Sequence, residues 1–153
     1  MINFVIAEAF EPLVDAQKLE RAALATLQHQ TGSTESDLSI VIEDDAHLHE
    51  LNKEFLDVDA PTDVLSFPSG EEEADPETGQ VYLGDVIISY PRASEQANAA
   101  GHAVIDEMQL LVVHGVLHLL GHDHAEDEEK AAMWAAQGEI LRGLDVRLSR
   151  LPE

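Results

Sequence analysis

The chain has 153 residues, 44% of them hydrophobic and 25% charged, which suits one domain with a packed core and argues against wholesale disorder. It has no cysteine, so disulfides, thiolate metal sites and a cysteine nucleophile are excluded, and any metal must be held by nitrogen and oxygen. A formal net charge of −23, from 31 acidic and 8 basic residues, gives a field that repels nucleic acid at long range and reads as a solubility device or an adaptation to a salty cell.

The opening MINFVIAEAFEPL has no basic n-region and is interrupted by acidic residues, so it does not read as a signal peptide. Ile2–Ile6 predicts a first strand. Pro12 then opens a helix with Leu13, Leu19, Leu24 and Leu27 at roughly helical spacing, stopped by Thr31-Gly32-Ser33. Leu38–Ile42 reads as a strand. Asp44-Asp45 offers an N-cap for a short helix, His47–Phe55, with Leu48, Leu51 and Phe55 on one side. Asp59-Ala60-Pro61 is a turn, and Asp63–Phe67 alternates as a strand.

Pro68–Gln80, with Glu71, Glu72, Glu73 and Asp75, predicts a solvated, mobile hairpin loop without chemistry. Val81–Ser89 is the next strand, with Gly84 marking a bulge. Pro91–Ala100 and Ala103–Leu120 are helical and are separated by Gly101; the last helix runs from about Glu126 to Leu144. The longest apolar stretch, Leu110–Leu120, is broken by His114, Gly115 and His118 and falls short of the roughly 20 residues a bilayer needs, so a cytoplasmic protein without a membrane span is expected. There is no internal repeat and no linker, so 1–153 reads as a single domain. The fold class is α+β: a small mixed sheet packed with helices, an antiparallel hairpin of Asp63–Phe67 with Val81–Ser89, and a central buried helix carrying metal ligands.

The chemistry concentrates in His114-Gly115-Val116-Leu117-His118-Leu119-Leu120-Gly121-His122-Asp123-His124. His114 and His118 are four apart on the predicted helix and project from one face, separated by roughly 6 Å of rise. Gly121 permits a sharp turn that returns His124 to the same ion. Three histidines leave the fourth position of a tetrahedral zinc site open for water, which implies catalysis more than structure. Imidazole also suits nickel, copper and iron, so zinc is the first choice among several. Burying that much imidazole without a partner would be costly, which weighs against a pure packing role. His122 reads as exposed in the turn; Asp123 is either a simple turn residue or a carboxylate that orients a ligand histidine. The spacing also matches the zinc-peptidase motif H-E-x-x-H-x-x-G-x-x-H, but Gly115 stands where the general-base Glu belongs, which decides against a peptidase.

His114–His124 resembles the signature H-G-x-L-H-L-x-G-x-D-H of the YbeY family of bacterial endoribonucleases. Leu51-Asn52, with the stretch Asp59-Ala60-Pro61-Thr62-Asp63-Val64-Leu65-Ser66-Phe67-Pro68, and Leu83-Gly84-Asp85-Val86-Ile87-Ile88-Ser89 are similar to two further blocks of that family. The resemblance implies a single-strand-specific, metal-dependent endoribonuclease that matures the 3′ end of small-subunit rRNA and serves ribosome quality control, with RNA and ribosomal proteins as partners. Its metal ligands would be His114, His118 and His124. The chain departs from the family at Leu56, where many members carry an Arg thought to act at the active site. Lys53 and Arg92 are the candidate substrate-binding cations in its place, and Arg142, Arg147 and Arg150 form the densest basic group. No side chain stands out as a general base, and Trp134, Tyr82 and Tyr90 are too scattered to predict a stacking platform. A hydrolase of another substrate class and a ribosome-assembly module with structural zinc are the alternatives.

Overall fold

The computed structural model describes residues 1–70, 74–77, 79–146 and 148. Four strands form one mixed sheet in the order β1 (Ile2–Ile6), β2 (Asp37–Glu43), β4 (Tyr82–Ser89), β3 (Val64–Pro68). β1 and β4 each run parallel to β2, and β3 is antiparallel to β4, closing the expected hairpin. Asp37 is opposite Tyr82 while Ser39 is opposite Asp85, so β4 carries one extra residue at the Gly84 bulge.

Period-two burial sets the two faces of the sheet. Leu38, Ile40 and Ile42 of β2, with Val86 and Ile88 of β4, are fully buried beneath the main helical layer. Leu65 and Ile87 point the other way, onto Leu48 and Leu51 of α2 (Asp45–Leu56). The helical layer comprises α1 (Ala16–Thr31), α3 (Tyr90–Ala100), α4 (Val104–Leu119) and α5 (Asp127–Gly143). Eleven of the 16 residues of α4 are buried, which makes it the central helix that its nearly all-apolar sequence predicted.

One boundary moves. Pro12 lies within a 3-10 turn, Glu8–Leu13, and the first helix starts only after Asp15, whose carboxylate accepts the backbone N–H of Lys18. A capped start satisfies an orphan donor, and that decides the boundary over the proline. Of the acidic loop, Glu71, Glu72 and Glu73 lie outside the described residues, as do Arg147 and Arg150 of the basic group. Between β3 and β4, the Asp75 carboxylate accepts the Glu77 N–H at 2.7 Å, a side-chain-closed turn.

Candidate metal centre

The site begins with how closely α4 can approach the sheet. A Cβ on Gly115 would lie 2.5 Å from Cγ1 of Val86 and 3.2 Å from Oγ of Ser66, so only glycine fits. The Ser66 hydroxyl donates to the Gly115 carbonyl at 2.9 Å, tying the helix to β3. The position of the peptidase Glu therefore faces the sheet, where there is no room for a side chain.

At the end of α4, Gly121 takes φ 101°. Its N–H reaches the carbonyl of His118 and the N–H of His122 reaches that of Leu117, both at 3.0 Å. This paired arrangement reverses the chain at a helix C-terminus and needs the left-handed residue that glycine supplies. Asp123 then accepts the backbone N–H of His124 at 2.7 Å, which holds the returning segment.

The outcome is that His114, His118 and His124 each offer a ring nitrogen, all within 4.8 Å of one another. Nδ1 of His114 is 3.0 Å from Oε1 of Gln137, a side chain only 2% exposed on α5. A carbonyl oxygen can only accept, so Nδ1 carries the proton and Nε2 keeps its lone pair. Burial pushes the His114 pKa down to about 4, against the opposing pull of the Gln137 hydrogen bond. Burial also lowers that of His118, whose ring hydrogen-bonds the backbone of His122. Both imidazoles are thus neutral near pH 7, the form that binds metal, and the all-nitrogen donor set fits zinc or a similar transition ion.

His122 is half-buried rather than exposed. Its Nε2 donates to Oε1 of Gln30 at 2.6 Å; the Gln30 amide reaches Nδ1 of His29, whose Nε2 meets the Glu139 carboxylate at 2.8 Å. This chain braces the 121–124 turn against α1 and α5.

His114 and His124 line a cleft of about 630 Å³ whose walls also include Asp63, Lys130, Trp134 and Gln137. The Trp134 ring centroid is 5.8 Å from that of His114 and 5.7 Å from that of His124. Asp63 is near enough for its charge to raise the His114 pKa. At the far end, Glu107 is bonded to His102 at 2.9 Å.

Residues 7–145 match the family model described as Endoribonuclease YbeY. The chain belongs to the YbeY family. It is 43% identical over 146 residues to the endoribonuclease YbeY of Dehalococcoides mccartyi, covering 89% of this chain and 88% of that one. It is 39% identical to that of Roseiflexus castenholzii, covering 94% and 91%. The solution structure of TM1509 from Thermotoga maritima matches with a TM-score of 0.64 at 24% identity, over 94% of this chain and 89% of that one, and supports the fold.

Lys53 and Arg92, the cations read from sequence, are not among the residues lining the cleft. Lys53 is exposed on α2. Arg92, at the start of α3, is forked onto Asp45 through Nε at 2.8 Å and Nη2 at 3.1 Å, which joins the N-termini of α2 and α3. Leu56, at the family's Arg position, is 50% exposed and also outside the cleft lining. Sequence reasoning missed Asp63, Lys130 and Gln137, and it discounted Trp134. The available signal was the position of Asp63 inside the D-A-P-T-D-V-L-S-F-P block.

Proposed function

We propose that this chain is a single metal-dependent hydrolase domain: a zinc-dependent endoribonuclease that cuts single-stranded RNA. Its work would be in the cytoplasm, in maturing the 3′ end of small-subunit rRNA and in ribosome quality control. The observation that carries this reading is the convergence of His114, His118 and His124 in an open cleft of a family whose named members are endoribonucleases.

The three histidines are the proposed ligands, with Gln137 holding His114 in the binding tautomer. A metal bound there supplies Lewis acidity at the phosphate undergoing cleavage. Among the described residues, Asp63 is the carboxylate lining the cleft that is not already bonded to a histidine, and we assign it the proton removed from the 2′-hydroxyl as that oxygen attacks the phosphorus; the bond from phosphorus to the 5′-oxygen breaks, and that oxygen leaves with a proton taken from water. Lys130 is the cation on the same wall and would meet a phosphate of the bound strand. Lys53 and Arg92 would serve substrate only outside the cleft. Docking on a basic ribosomal protein would spare a chain of net charge −23 the need for a broad positive surface.

The test is cleavage of matched single-stranded and duplex RNA by the purified chain, before and after chelation and zinc restoration. Cleavage confined to the single strand, lost with chelator and restored by zinc, is expected. Asp63→Asn should lower kcat by about 10² or more with zinc content unchanged. No cleavage by zinc-loaded protein, or cleavage indifferent to chelation, would overturn the reading.

A further inference from the structure

Helix α5 carries a pattern that metal binding does not use. Lys130, Trp134, Gly138 and Arg142 recur every fourth residue along it. Four residues slightly exceed one turn, so the stripe drifts about 40° per step and advances about 18 Å from end to end. The drift has a physical consequence. Lys130 lines the metal cleft, and Trp134 lines both that cleft and a second cavity of about 540 Å³. Gly138 and Arg142 line the second cavity, together with Leu141, Val146 and Leu148. The indole therefore stands on the divide between two cavities, with a cation in each.

Gly138 is the second observation. A glycine inside a helix costs roughly 1 kcal/mol relative to alanine. Among the described residues nothing packs against it: a Cβ would come no nearer than 4.0 Å to the tip of Arg142. It is not a close-approach glycine like Gly115. What it does is keep the wall low between Trp134 and Arg142.

We propose that this stripe is the track for the single-stranded RNA. A nucleobase next to the cleaved phosphate stacks on Trp134, and the flanking phosphates meet Lys130 on the metal side and Arg142 on the far side. Aromatic stacking between two cations is the general means by which proteins hold single strands without reading their sequence. Lys130 Nζ already lies 5.6 Å from the indole centroid, so one residue couples both functions. Glu139 also lines the second cavity, but its carboxylate is bonded to His29, which lessens its repulsion of a phosphate. The track rests on the endoribonuclease reading and specifies where that site takes its substrate.

Trp134 is the only tryptophan in the chain, so tryptophan fluorescence reports on this one position, and the zinc-loaded protein keeps the neighbouring histidines in one state throughout the titration. The zinc-loaded full chain is titrated with a 2′-O-methyl oligoribonucleotide, which binds but resists cleavage, and the same oligonucleotide is end-labelled for anisotropy. Saturable quenching of Trp134 is expected. Trp134→Ala should weaken binding about tenfold, and Trp134→Phe should recover most of the loss. Lys130→Gln with Arg142→Gln, both at exposed positions that do not risk the fold, should flatten the log–log salt slope by about 1.4. Binding without quenching, wild-type affinity in Trp134→Ala, or an unchanged slope in the double variant would overturn the track while leaving the endoribonuclease intact. Wild-type protein that neither binds nor cuts RNA would sink both.

Discussion

Adjacent residues of α4 face opposite demands. Gly115 is pressed onto β3 and β4, where a single methyl group would collide with Val86. His114, one residue earlier, has turned toward a cleft of about 630 Å³ and is held by one hydrogen bond to Gln137. The 100° step between them separates packing from chemistry on one helix. Substitutions on the two faces should therefore fail in different ways: one loses stability and the other loses metal.

The largest effect expected is on the cleft face. His118→Ala should abolish zinc binding, measured by elemental analysis of the purified protein, with its secondary structure intact. Two remaining imidazoles cannot hold zinc against competing water and buffer at ordinary concentrations. Near-full occupancy in this variant would remove His118 from the ligand set and break the comparison.

On the sheet face, Gly115→Ala should lower unfolding stability by about 1–3 kcal/mol in a denaturant titration, the cost of forcing a methyl group into a filled space. Zinc bound per folded molecule should hold near one equivalent. If the variant folds normally but loses zinc, the two faces are not separable.

Between these extremes lies the brace behind His114. Gln137→Leu fills a similar volume but leaves the Nδ1 proton of His114 without an acceptor. Zinc affinity should fall about tenfold, and Gln137→Glu, which restores an acceptor, should recover it. Equal affinity in Gln137→Leu and wild type would show that the hydrogen bond does not select the binding tautomer.

What could be read in advance follows the same division. His114, His118, Gly121 and His124 lie within eleven residues, so helical period and one glycine turn were enough to foresee their convergence. The central burial of α4 was equally legible, because an apolar helix without a polar stripe has only the interior to occupy. The rest of the cleft is assembled by tertiary packing. Gln137 reaches His114 across 23 residues, and the Asp45 partner that claims Arg92 is 47 residues away. No local period encodes either contact, so sequence alone offers Arg92 as a free cation and gives no reason to single out Gln137. Trp134 is isolated along the chain, whereas its ring neighbours His114 and His124 come from α4 and from the turn that follows it.

The smallest effect expected is at the acidic loop joining β3 to β4, and it extends the comparison beyond α4. Its described acids, Asp75 and Glu77, are exposed and absent from the lining of the metal cleft. The Asp75 carboxylate is occupied in closing its own turn. Replacing residues 71–77 with a short Gly/Ser linker should therefore leave zinc content unchanged and RNA cleavage within about twofold. Exposed charges farther apart than a Debye length of about 8 Å act weakly at physiological salt, so the removed acids should be felt chiefly at low ionic strength, where RNA binding should tighten slightly. Cleavage measured at two salt concentrations distinguishes the cases. A fall in cleavage at both salts would give the loop a contact with substrate, whereas a modest gain confined to low salt is what distant repulsion alone produces.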